Sequence, residues 1–117
     1  MITVSLNTLV NAAPVLRTLS ETVMNGKTAF QFARLLREVD RELRTWNDAR
    51  QKVFLKYGKI ENQEAIIQPE YVEQFNKEIE ELLQTKIELA VEKIQQEQLY
   101  NLQLSPAQIF TIDEFIK

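Results

Sequence analysis

The chain contains neither cysteine nor histidine. Their absence excludes disulfides, thiolate nucleophiles, Cys/His metal sites and every catalytic triad with an imidazole base. It also removes the side chain that most often moves protons near neutral pH. Carboxylates, lysines, tyrosines and three serines (Ser5, Ser20, Ser105) are the groups left for catalysis, and no catalytic residue, metal site or cofactor is expected. No apolar run approaches the ~20 residues that a membrane helix needs. Met1 to Leu9 has no basic cluster ahead of an apolar core, so it does not read as a signal peptide. The expectation is an intracellular protein, or part of a particle assembled inside a cell. The formal charge of −3 lacks the large positive excess usual in nucleic-acid binders.

Glycine is nearly absent too. Gly26 and Gly58 are the only two, and neither has a glycine neighbour with which to cradle a phosphate. Between them, Lys27 to Tyr57 is free of glycine and proline. Phe32, Leu36, Val39, Leu43, Trp46, Val53 and Tyr57 recur there at spacings of four and three, with Arg50 at the one interrupted position. This is the seam of a single helix ~46 Å long. Trp46 reads as core. Arg50 reads as a snorkelling side chain, a partner for a glutamate of a later helix, or a device that sets register.

The remainder divides around this helix. Ile2, Val4 and Leu6 alternate as a short strand. Asn7 is a plausible N-cap for a helix from Thr8 to about Met24, which Pro14 should kink or shorten. Asn25-Gly26 reads as a helix stop and Thr28 as the next cap. Residues 59–68 read as a connection with Ile66 and Ile67 tucked beneath it. Pro69 opens a third helix, with Glu70 and Glu73 in its first turn and Val72, Phe75, Ile79 and Leu82 on one face, running at least to Gln84. Residues 86–94 fit either a strand or more helix. The strand is preferred because it would pair with the N-terminal strand and cover its edge. Gln95 to Asn101 is polar and reads as a connection. Ser105-Pro106-Ala107-Gln108 is a helix-start signature. Ile109, Phe110, Ile112, Phe115 and Ile116 are too apolar for a free tail and should dock on the body.

Charge is unevenly divided. Lys27 to Tyr57 carries eight basic and four acidic residues, and Lys59 to Lys117 carries five basic and twelve acidic. The long and third helices therefore attract as an antiparallel pair, though each exposed ion pair is worth only ~0.5 kcal/mol or less. Arg34, Arg37, Arg41 and Arg44 form an outer stripe opposite the seam. Three readings stand open: a solvated face satisfied by Glu38 and Asp40 on the same helix, a grip for an acidic protein, or a phosphate-reading face. Glu73, Glu78, Glu80 and Glu81 lack the glycine-bearing loop of a cation site and read as a solvated acidic face.

Several segments together are similar to a known family. They are Asp48-Ala49-Arg50-Gln51-Lys52 running on to Lys56-Tyr57-Gly58, Phe75-Asn76-Lys77-Glu78 with Leu82-Leu83, and Leu104-Ser105-Pro106-Ala107. The chain resembles, over nearly its whole length, a domain of unknown function found in small proteins of tailed phages and prophages of Gram-positive bacteria. The resemblance implies a phage origin, a place in the host bacterial cytoplasm or the virion, and a virion or assembly role. It carries over no functional residue.

The expected fold is a single domain over 1–117, mainly α (α+β). A long antiparallel hairpin of the long and third helices is backed by the first helix, with a minimal two-stranded sheet. A third helix about half as long as its partner leaves seam unpaired, which points to a homo-oligomer or a docking surface for a protein partner. The expected function is a non-enzymatic, virion-associated or assembly accessory protein. A nucleic-acid-binding regulator and an inhibitor of a host protein are the alternatives.

Overall fold

The computed structural model describes residues 1–117. The fold is mainly α, with two small antiparallel ribbons. In chain order the elements are β1 (Ile2–Ser5), α1 (Leu6–Ser20), α2 (Gly26–Tyr57), β2 (Gly58–Glu61), β3 (Glu64–Ile67), α3 (Val72–Leu83), β4 (Lys86–Leu89) and α4 (Pro106–Ile112). Single 3-10 turns lie at Pro69–Tyr71, Gln96–Leu99 and Asp113–Phe115.

The strand preferred for residues 86–94 is present as β4. It pairs antiparallel with β1, Ile2 opposite Leu89 and Val4 opposite Ile87. Residues opposite one another share a face, and all four of these side chains are buried. Leu6 extends the ladder by donating its amide to Thr85 O at 2.8 Å. The N-cap of α1 is therefore Ser5 and not Asn7, with Ser5 Oγ accepting from the Thr8 amide at 3.1 Å. Pro14 does not break α1, which is continuous and keeps that residue on its exposed side. The helix ends at Ser20, four residues short of Met24.

Asn25 starts a helix and does not stop one. Its Oδ1 accepts from the amides of Lys27 at 2.9 Å and Thr28 at 3.3 Å, capping α2. Thr28 is not a cap; it is buried and accepts a 3.1 Å hydrogen bond from Gln98 Nε2. At the other end Gly58 leaves the helix in an extended conformation, φ −118°. The connection expected at 59–68 is a β-hairpin, β2 and β3, turned by Asn62 and Gln63 at φ 50° and 64°. A two-residue turn with positive φ at both positions matches the right-handed twist of the strands. Ile66 and Ile67 are half-buried in it.

Pro69 opens the turn that leads into α3, and α3 stops at Leu83 with Gln84 as its C-cap. Ser105 and Gln108 form the expected capping box on α4. The C-terminal segment is held by a bridge between Ile94 and Ile116, with Lys117 N donating to Ile94 O at 2.8 Å. Ile112 and Phe115 dock as expected, whereas Ile109 and Phe110 remain exposed.

One contiguous core of 18 buried residues draws on β1, α1, α2, β4 and the C-terminal segment. α1 and α2 pack together as a hairpin-like pair, and α3 adds a smaller contact toward the far end of α2. The principal partner of the long helix is thus α1, because the core gathers around the β1–β4 ribbon at which α1 begins.

Candidate interaction surface

The seam of α2 is unevenly covered. Phe32, Val39 and Trp46 are buried, Leu36 and Leu43 partly so, and Val53 and Tyr57 are half-buried, Tyr57 against α3. Leu35, outside the three-four series, is also buried, because the covered face of α2 is wider than one stripe. Arg50 takes the snorkelling option. Its guanidinium lies 5.8 Å from the Trp46 ring centroid and donates to Asn47 Oδ1 at 3.0 Å. It makes no ion pair with α3.

Glu78 of α3 supplies the cross-helix contact instead. One of its carboxylate oxygens accepts from Lys56 Nζ at 2.7 Å and from Tyr57 Oη at 2.9 Å. Donation from Lys56, then from Tyr57, holds the Glu78 carboxyl below the usual carboxylate range. The hydrogen bond to Glu78, and then the neighbouring Tyr57 hydroxyl, hold the Lys56 ammonium above the usual lysine range. Glu78 is thus tied into the fold and does not simply face solvent.

All four stripe arginines are exposed, with dissimilar surroundings. Arg34 stacks over Phe30, 4.6 Å from the ring centroid. Arg41 Nη2 lies 2.5 Å from Glu38 Oε2, an oxygen shielded from solvent. The two are close enough for an ion pair but not aligned for a hydrogen bond. Asp40, expected to serve Arg44, is bound by Arg17 of α1 at 2.5 Å. Arg37 and Arg44 make no ion pair. The stripe is therefore only partly satisfied, and another helix takes one of its expected partners.

Arg34 and Arg37 gain a further setting from the fold. They line a groove of about 630 Å³ together with Gln31 and Glu38 of α2, Met1, and the segment Ala90–Glu92 after β4. The groove exists because β1–β4 pairing brings the segment after β4 to the side of α2. The sequence offers no local sign of it, since its two walls lie some fifty residues apart; only the predicted strand pairing hints at their meeting. Its lining carries two guanidiniums, two carboxylates (Glu38 and Glu92) and the apolar side chains of Met1, Ala90 and Val91.

Each serine hydroxyl is engaged at a helix terminus. Ser5 caps α1, Ser105 caps α4, and Ser20 donates to Arg17 O at 2.6 Å. No helix is long and apolar enough to cross a membrane. In comparisons with known proteins the chain matches no protein-family model, no curated protein and no solved structure.

Proposed function

We propose that this protein is a non-enzymatic interaction protein that recognises a polypeptide partner along the arginine side of α2. In keeping with the resemblance, we place it among phage-encoded virion or assembly accessory proteins. The observation that carries the proposal is the mixed lining of the 630 Å³ groove. Charges of both signs around apolar side chains suit a polypeptide, whose contacts alternate in the same way. A phosphate backbone would meet Glu38 and Glu92 in the same groove as Arg34 and Arg37. The serines add support, because none is left free beside a base. The test is capture from cells producing particles, with the wild-type protein and Arg34→Glu/Arg37→Glu side by side. The wild type is expected to retain one identified particle or assembly polypeptide, and the variant to lose it. Retention of the same polypeptide by both proteins would exclude the groove.

A second reading has one observation in its favour: Arg37 and Arg44 are exposed and carry no carboxylate partner. A nucleic-acid-binding regulator would use them for phosphate contacts. It requires binding that falls steeply with salt and weakens in Arg37→Glu/Arg44→Glu. No binding at low salt ends it.

A further inference from the structure

Phe110 is 86% exposed on α4, although its neighbour Ile112 is fully docked. A bare phenyl ring contributes nothing to its own core and leaves apolar surface in water. Beside it lies a second cavity, of about 350 Å³, walled by Leu99, Leu102, Leu104, Ile109 and Ile116. Tyr100, 69% exposed, also lines it. Asp113, three residues after Phe110, also lines the cavity, and residues three apart lie on one side of a helical stretch, so protruding ring and apolar hole share a face. A cavity of ~150 Å³ already holds a benzene molecule, so this one has room for a phenyl ring.

We infer that this face binds a second copy of the chain, with the Phe110 ring of each copy entering the cavity of the other. Two features favour a second copy over an unrelated partner. A ring and a hole side by side on one face become mutually complementary under a two-fold axis, which is the geometry of a closed dimer. The cavity lining also carries one acid and one base, Asp113 and Lys117, which form no ion pair within the chain. A two-fold axis can set each against its opposite in the other copy. The interface is small. Phe110 and Tyr100, at ~150–250 Å² per aromatic side chain, supply about half of the ~800 Å² per partner of a standard interface. A reversible dimer with a dissociation constant on the order of micromolar or weaker is expected. This face is separate from the groove at Arg34 and Arg37, and neither proposal depends on the other.

The test is sedimentation velocity on the full chain across a concentration series from micromolar to near-millimolar. Wild type, Phe110→Asp, Asp113→Lys, Lys117→Asp and the double charge swap are compared. All three positions are exposed, and thermal melts check that each variant folds. The wild-type mass should rise from 13.7 kDa toward twice that value. Phe110→Asp should stay monomeric throughout. Each single charge swap should weaken association about tenfold, the equivalent of ~1.4 kcal/mol, and the double swap should recover it. A wild type that stays monomeric overturns the inference, even if Phe110 is needed to bind some other protein. So does a dimer undiminished in Phe110→Asp, or a double swap that fails to recover association.

Discussion

Gly26 and Gly58 flank the same helix, yet they differ in what a methyl group would meet. A Cβ on Gly58 would lie 2.6 Å from Cε2 of Phe54, whereas one on Gly26 would meet nothing within 4 Å. Neither residue has a positive φ, so the need at Gly58 is steric. Gly58→Ala should therefore destabilise by about 0.5–1.5 kcal/mol, the cost of pushing the half-buried Phe54 ring off its rotamer. In a Phe54→Leu background the added cost should shrink, and urea denaturation of the four proteins measures the coupling. Gly26→Ala should be neutral or stabilise by up to ~1 kcal/mol, through loss of unfolded-state freedom. Glu78 makes the pH prediction. Its carboxyl is held low, so its contribution is present above about pH 4.5 and is lost as pH falls through the depressed folded value. The Lys56 ammonium is held high, so its contribution is present below about pH 10.5 and is lost as pH rises through the raised folded value. The difference in melting temperature between wild type and Glu78→Gln should be constant between those limits and shrink on both sides. A difference that grows in acid would contradict the Lys56–Glu78 contact.

At the scale of elements, α2 is two helices in energetic terms. Val39 is fully buried and Val53 only half-buried. Val39→Ala should cost about 2–3 kcal/mol, and Val53→Ala under about 1 kcal/mol, read from chemical denaturation. Equal losses would mean that α3 covers the far end as tightly as α1 covers the near end. Amide exchange should likewise be faster beyond Trp46 than before it. Much of this was legible in the sequence. Alternation at Ile2 and Val4 marked the first strand of the first ribbon, and the need to cover its edge favoured a strand over more helix for residues 86–94, where Ile87 and Leu89 alternate. The Ser105–Gln108 capping box fixed α4. Other signals had two meanings. Asn25-Gly26 suits a helix stop, but the Asn25 carboxamide serves equally as an N-cap, and α1 had already ended. The β2–β3 hairpin was illegible because its turn is Asn62-Gln63, and glutamine gives no sign of a left-handed conformation. The arginine stripe could be placed on α2, but its partners could not, since Asp40 is claimed by Arg17 across a helix interface.

For the whole molecule, α2 sets the shape. Its 32 residues span ~48 Å, which accounts for the long axis of a body measuring 51 × 28 × 24 Å. The radius of gyration is 17.1 Å, against roughly 13 Å for a compact chain of this length. A chain that spends so many residues on one rod presents more surface than its core requires, and two faces of that surface are the ones we propose for contact. One is the groove at Arg34 and Arg37, and the other is the face carrying Phe110. The unpaired end of the seam, the place expected for a second molecule, is instead partly closed by α3 through Tyr57, Lys56 and Glu78. The proposed interaction surfaces therefore lie around the core end of the rod, where distant parts of the chain meet it. The most direct measurement of the central proposal is quantitative mass spectrometry of material retained by tagged wild-type and Arg34→Glu/Arg37→Glu proteins from particle-producing cells. Both proteins must first be shown to melt alike. One particle or assembly polypeptide retained in near-equal amount by the wild type, and lost at least tenfold in the variant, is the predicted result. Equal retention by both proteins, or retention of nucleic acid with no polypeptide, would contradict it.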